Sequence, residues 1–108
     1  MLISSILSLS FALSVQASDP TRASRGAYSA CLRRYMEASV NERKSESEFN
    51  TSLPQQCTAE EQAYSAAVRA REAGFRTPTA EIDTIVREEL DDARTNIREI
   101  FAMSIQPR

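Results

Sequence analysis

The chain has 108 residues, with 13 Lys and Arg against 15 Asp and Glu, a net charge of −2, two Cys, two Gly and neither His nor Trp. Interspersed charge of both signs, with no basic run longer than a pair such as Arg33-Arg34, offers no field for polyphosphate and excludes nucleic acid as an expected ligand. Without His the chain lacks the usual general base and the commonest transition-metal ligand, and Gly26 and Gly74 stand too far apart for a dinucleotide fingerprint or a phosphate loop. No catalytic residue, no cofactor and no metal are expected.

The first charged side chain is Asp19. Before it, Leu2 to Val15 form an apolar stretch broken by serines and ending in Val15-Gln16-Ala17, a small-x-small cleavage pattern. The segment 1–17 reads as a signal peptide, cut between Ala17 and Ser18, although its only cation is the α-amino group. It is shorter than the roughly 20 residues of a membrane span, so no span is expected after cleavage. A retained anchor is the alternative. The mature chain, 18–108, is expected to be a single helical domain in the periplasm or outside the cell.

From Asp19 onward apolar residues recur at three- and four-residue steps, the helix period. Tyr28, Cys31, Leu32, Tyr35, Met36 and Val40 make one stripe, which predicts a helix over Ser24–Arg43. Ser45 with Glu48 forms a capping box, so a turn falls near Lys44 and a new helix starts after it. Pro54 interrupts that helix, which favours a short piece over Glu46–Ser52 and a restart at Pro54, with a kinked continuous helix as the alternative. Gly74 suits the left-handed position that ends the segment. Thr77-Pro78 then reads as cap and first residue of a third helix. Its stripe runs through Ile82, Ile85, Val86, Leu90, Ala93, Ile97, Ile100, Phe101 and Ile105.

The expected fold is all-α: a small three-helix bundle with a disulfide-stapled hairpin and a long C-terminal helix, with coiled-coil-like packing. Cys31 and Cys57 lie equally far on either side of Lys44, so an antiparallel hairpin bent there brings them abreast. In an exported chain the two would pair; in a reducing compartment they would be two separate buried thiols. Large apolar residues are few for a domain of this size, so a staple or a dimer interface would supply stability the core lacks. Ala63, Ala66, Ala67, Ala70 and Ala73 permit either close helix approach or a solvated helix face.

Other patterns carry less chemistry. The spacing of Cys31 and Cys57 is far from the Cys-x-x-Cys of redox catalysts. Glu88-Glu89-Leu90-Asp91-Asp92 reads as a solvated face paired with Arg87 and Arg94, and Glu60-Glu61 likewise. Lys44 beside Ser45 and Ser47 is a capping loop before it is a nucleophile pair, Asn50-Thr51-Ser52 matches a glycosylation acceptor, and Tyr28, Tyr35 and Tyr64 fall at core positions.

The stretch from Tyr28 to Tyr64, above all Cys57-Thr58-Ala59-Glu60-Glu61-Gln62-Ala63-Tyr64, resembles uncharacterised small exported bacterial helical proteins with a single Cys pair. The resemblance covers about a third of the chain and implies a periplasmic location and a helical fold held by one disulfide, without implying an activity. The expected role is non-enzymatic binding or structure through helix faces, with a protein partner or self-association through the Ile82–Ile105 stripe. A periplasmic holdase-like stress protein, using Met36 and Met103 as adaptable contacts, is one alternative. An enzyme using carboxylates alone is the other.

Overall fold

The computed structural model describes residues 19–107; the segment 1–17 expected to be a signal peptide and the cleavage expected between Ala17 and Ser18 lie outside the described residues. Four α-helices follow one another: α1 Pro20–Asn41, α2 Glu46–Ser52, α3 Thr58–Gly74 and α4 Thr79–Ser104, with a 3-10 turn at Leu53–Gln55 between α2 and α3. Among the described residues there is no strand. The chain is an all-α bundle in which α1, α3 and α4 pack on one another and α2 packs on α4.

α1 starts at Pro20, four residues before the expected helix start at Ser24. Asp19 caps it, with Oδ1 accepting from the Thr21 N–H at 3.0 Å, and Pro20 fills the first turn, where no donor is needed. The pattern of capping side chain plus proline thus operates at Asp19-Pro20. At Thr77-Pro78 it does not: the Thr77 hydroxyl donates to Glu72 Oε2 at 2.8 Å, and α4 begins beyond Pro78.

α1 and α3 end in the same way. Arg43 N–H bonds to Val40 O and Lys44 N–H to Ser39 O; Arg76 N–H bonds to Ala73 O and Thr77 N–H to Glu72 O. Each set is a Schellman closure whose left-handed residue is an arginine, Arg43 at φ 56° and Arg76 at φ 59°. Gly74 therefore does not take the left-handed position expected of it. It is the last residue of α3, and no described glycine has a positive φ. α1 stops at Asn41 rather than Arg43 for the same reason.

Ser45 caps α2, accepting from the Glu48 N–H at 3.1 Å. The Glu48 carboxylate meets the Ser45 hydroxyl at 3.2 Å, a local variant of the capping box. Pro54 sits in the first turn of the 3-10 segment, so the break falls where expected, but the α-helix resumes only at Thr58.

The core is Tyr28, Leu32 and Met36 of α1, Phe49 and Leu53, Tyr64 and Val68 of α3, and Ile82, Val86, Leu90, Ile97 and Phe101 of α4. Phe49 stacks between Tyr35 and Phe101, with ring centroids 5.4 and 4.0 Å away. Burying a side chain of this kind stabilises by about 1.5–3 kcal/mol. The α4 stripe is therefore spent inside the chain. Of the stripe, Ile85, Ala93 and Ile100 are half-buried and Ile105 is exposed, so these are the members left at the surface of one chain. Of the α3 alanines Ala67 alone is half-buried, while Ala63, Ala66, Ala70 and Ala73 are exposed.

Candidate functional site

The arm that returns from the Lys44 turn runs antiparallel to α1. Tyr35 Oη meets Ser52 Oγ at 2.5 Å, Cys31 meets Cys57, the rings of Tyr28 and Tyr64 lie 6.2 Å apart, and the Thr21 hydroxyl donates to the Ala67 carbonyl at 3.5 Å. Each pair straddles the turn almost symmetrically. Cys31 and Cys57 are at disulfide distance, with Sγ atoms 2.05 Å apart and Cα atoms 6.0 Å apart.

The local setting of Cys57 differs from the expected hairpin of two continuous helices. Cys57 is not within a helix; it is the residue before α3, in the left-handed conformation at φ 60° and ψ 40°. It brings the end of the 3-10 turn against the middle of α1, and α3 runs from there toward the start of α1. Glu60, in the first turn of α3, joins the pair: one ligand atom each from Cys31, Cys57 and Glu60 lies within 4.8 Å of the others.

Next to this point is a charged contact between α3 and α4. Arg94 Nη2 pairs with Glu61 Oε1 at 2.9 Å, and Arg94 Nη1 lies 3.8 Å from Asp91 Oδ1. Tyr28 Oη and Arg94 Nε are both enclosed without a hydrogen-bond partner. Burial pushes the Tyr28 hydroxyl up, with Arg94 working against that shift.

Further along, a cleft of about 220 Å³ opens among α1, α3 and α4, lined chiefly by Arg25, Ser29, Tyr64, Glu89, Asp92 and Asn96. The Tyr64 hydroxyl donates to Glu89 Oε2, and Arg71 Nη2 reaches Glu89 Oε1 at 3.4 Å. Burial, then the bond to Glu89, pushes Tyr64 up to about 12. The bond from Tyr64, with Arg71, holds Glu89 below the ordinary carboxylate range despite burial. The two shifts run in opposite directions away from neutrality, so the cleft holds a tyrosine that stays protonated and a carboxylate that stays charged.

These contacts correct the reading of the acidic run. Glu89 points inward and pairs with α3, Leu90 is core, and Arg94 pairs mainly with Glu61. Arg87 makes no ion pair among the described residues. The helix period alone could not show this, because which acidic residue turns inward depends on how α3 sits on α4. Lys44 lies over the Tyr35 ring, 5.0 Å from its centroid, and pairs with Glu42 at 3.6 Å, while Ser45 is occupied as a cap. Asn50 is half-buried in α2 with its amide oxygen enclosed.

Large apolar side chains are exposed at the two ends of α4: Phe75 (73%) in the turn before it, and Met103 (64%) and Ile105 (37%) at its close. A shallow depression lined by Met36, Glu37, Val40, Asn41 and Ser104 lies where α1 and α4 end together. Met36 itself is core, so of the two methionines only Met103 is free to adapt to a contact. Comparison of the chain with protein-family models, curated proteins and solved structures finds no match.

Proposed function

We propose that the protein is exported, loses residues 1–17, and works outside the cytoplasm as a non-enzymatic helical protein that binds through its helix faces. The observation that carries this reading is the approach of Cys31 and Cys57 at the join of α1 and α3. A thin core joined covalently at that point is the economy of small domains in oxidising compartments. Among the described residues no helix is long and apolar enough to cross a membrane, which fits release after cleavage. The cleft groups held away from neutrality favour a non-catalytic role, since acid–base work asks for a group poised near the working pH.

Intact mass of protein recovered from fractionated cells tests the export claim. The expected species begins at Ser18, lacks two hydrogens and is found in the periplasmic or secreted fraction. An uncut chain with two free thiols in the cytoplasm overturns it. Binding is tested by sedimentation with a photo-crosslinking residue at position 103, where a discrete adduct is expected; a monomer without adducts counts against it.

A holdase-like role is the second reading, favoured by the exposure of Phe75 and Met103. Reduced light scattering from an aggregating client at equimolar protein supports it, and unchanged scattering removes it.

A further inference from the structure

We propose that Cys31, Cys57 and Glu60, once the cysteines are reduced, form a site for one thiophilic divalent cation of the Zn²⁺ class. The proposal concerns the chemistry of the chain itself and stands apart from the export reading.

The two sulfurs, joined to each other in this structure, and a carboxylate oxygen of Glu60 lie within 4.8 Å of one another, so reduction frees two thiols beside a carboxylate. A tetrahedral cation with bonds of about 2.3 Å to sulfur and about 2.0–2.2 Å to oxygen needs its donors roughly 3.5–3.8 Å apart. Side-chain rotation supplies that spacing from Cα atoms 6.0 Å apart. The donors come from packed elements: Cys31 from the middle of α1, Cys57 from the residue that caps α3, and Glu60 from one helical turn beyond it. All three are half-buried, which leaves one side open to a water molecule as fourth ligand and to the arriving ion.

Donor chemistry sets the class of cation. Two thiolates and a single carboxylate suit Zn²⁺ or Cd²⁺, whereas Ca²⁺ and Mg²⁺ require more oxygen ligands than the site offers. Loading takes two steps. A dithiol reductant gives two electrons and two protons to the Cys31–Cys57 bond and leaves as its own disulfide. The cation then displaces both thiol protons to solvent. The metal would join α1 to α3 at the same point as the sulfur–sulfur bond, so the bundle would keep its link in either redox state.

The test uses the full chain, reduced with a dithiol, desalted without oxygen and titrated with Co²⁺ and then Zn²⁺. The expected result is a thiolate-to-cobalt charge-transfer band that saturates at one metal per chain and disappears on adding Zn²⁺. The unreduced protein should give no band. Glu60→Gln should weaken binding at least tenfold and Cys31→Ser should abolish it, while Zn²⁺ should raise the Tm of the reduced chain toward that of the oxidised one. Glu60→Gln retains both cysteines, so its fold can be verified in the oxidised state even if Cys31→Ser does not fold. No band from folded reduced protein, saturation at one metal per two chains, or unchanged affinity in Glu60→Gln would each overturn the proposal.

Discussion

The ring of Phe49 lies 4.0 Å from that of Phe101, centroid to centroid, with the two planes 12° apart. The short α2 is thereby fixed to the last turns of α4, and Tyr35 closes the stack on the other side of Phe49. Truncating a buried Phe costs about 3–5 kcal/mol, a large share of what a small domain has. Phe101→Ala is therefore expected to lose its cooperative thermal transition and near-ultraviolet dichroism. Phe101→Leu should keep both, with a lower Tm.

The Schellman closures give a prediction of opposite sign. A left-handed conformation costs a residue with a Cβ about 1–2 kcal/mol, and Arg43 and Arg76 both adopt it. Arg43→Gly and Arg76→Gly should each stabilise by about 1 kcal/mol in urea unfolding. Gly74→Ala should also stabilise, by up to about 1 kcal/mol, because Gly74 is helical and an added Cβ meets nothing within 4 Å. Destabilisation by Gly74→Ala would mean that Gly74, not Arg76, carries the left-handed turn.

Much of this architecture is legible in the sequence. The all-helical class, the break at Ser52–Pro54, the Ser45 cap and the opposed positions of Cys31 and Cys57 follow from period, capping chemistry and symmetry about Lys44. What was not legible depended on contacts between distant residues. Thr77 could serve as a cap or as a partner of Glu72, and only the bend of the chain after α3 decides between them. Glu60, Glu61 and Glu89 look solvated until α1, α3 and α4 are set side by side. Asp19-Pro20 carries in the sequence the same cap-plus-proline signal as Thr77-Pro78, and it is the one that starts a helix with its side chain as cap.

Joining Cys31 to Cys57, which are 26 positions apart, should stabilise by roughly 3–4 kcal/mol on the chain-entropy account. Cys31→Ser and Cys57→Ser are each expected to show a loss of that size in urea. Reductant should then have no further effect on either variant in metal-free buffer.

Tyr64 and Glu89 each contribute a pH-dependent part of the stability, on opposite sides of neutrality. The depressed Glu89 contributes stability that is fully present above the ordinary glutamate range near about 4.3 and is lost as pH falls through its lower folded value. Tyr64, raised to about 12, contributes stability present below about 10 that is lost as pH climbs from there to about 12. Glu89→Gln should flatten the acid limb of a plot of urea midpoint against pH. It should also bring tyrosinate absorbance from Tyr64 in at lower pH than in the parent.

Tyr28 Oη is enclosed without a partner, and an unsatisfied buried polar group costs about 1–3 kcal/mol. Tyr28→Phe should therefore be neutral or stabilising by up to about 1 kcal/mol in the same urea assay. A clear loss would show that the hydroxyl is satisfied in solution, with Arg94 as the nearest candidate.

The covalent link ties α1 to α3 and leaves α4 attached to them only through the turn at 75–78 and its packed face. Resistance to opening is consequently uneven along the chain. The α1–α3 hairpin is expected to persist when the rest loosens, with α4 leaving as one piece and uncovering core residues such as Phe49 and Tyr64. Amide protons of α4 would then exchange together and ahead of those in the hairpin, so the long helix that contributes most to the core is also the first to leave it.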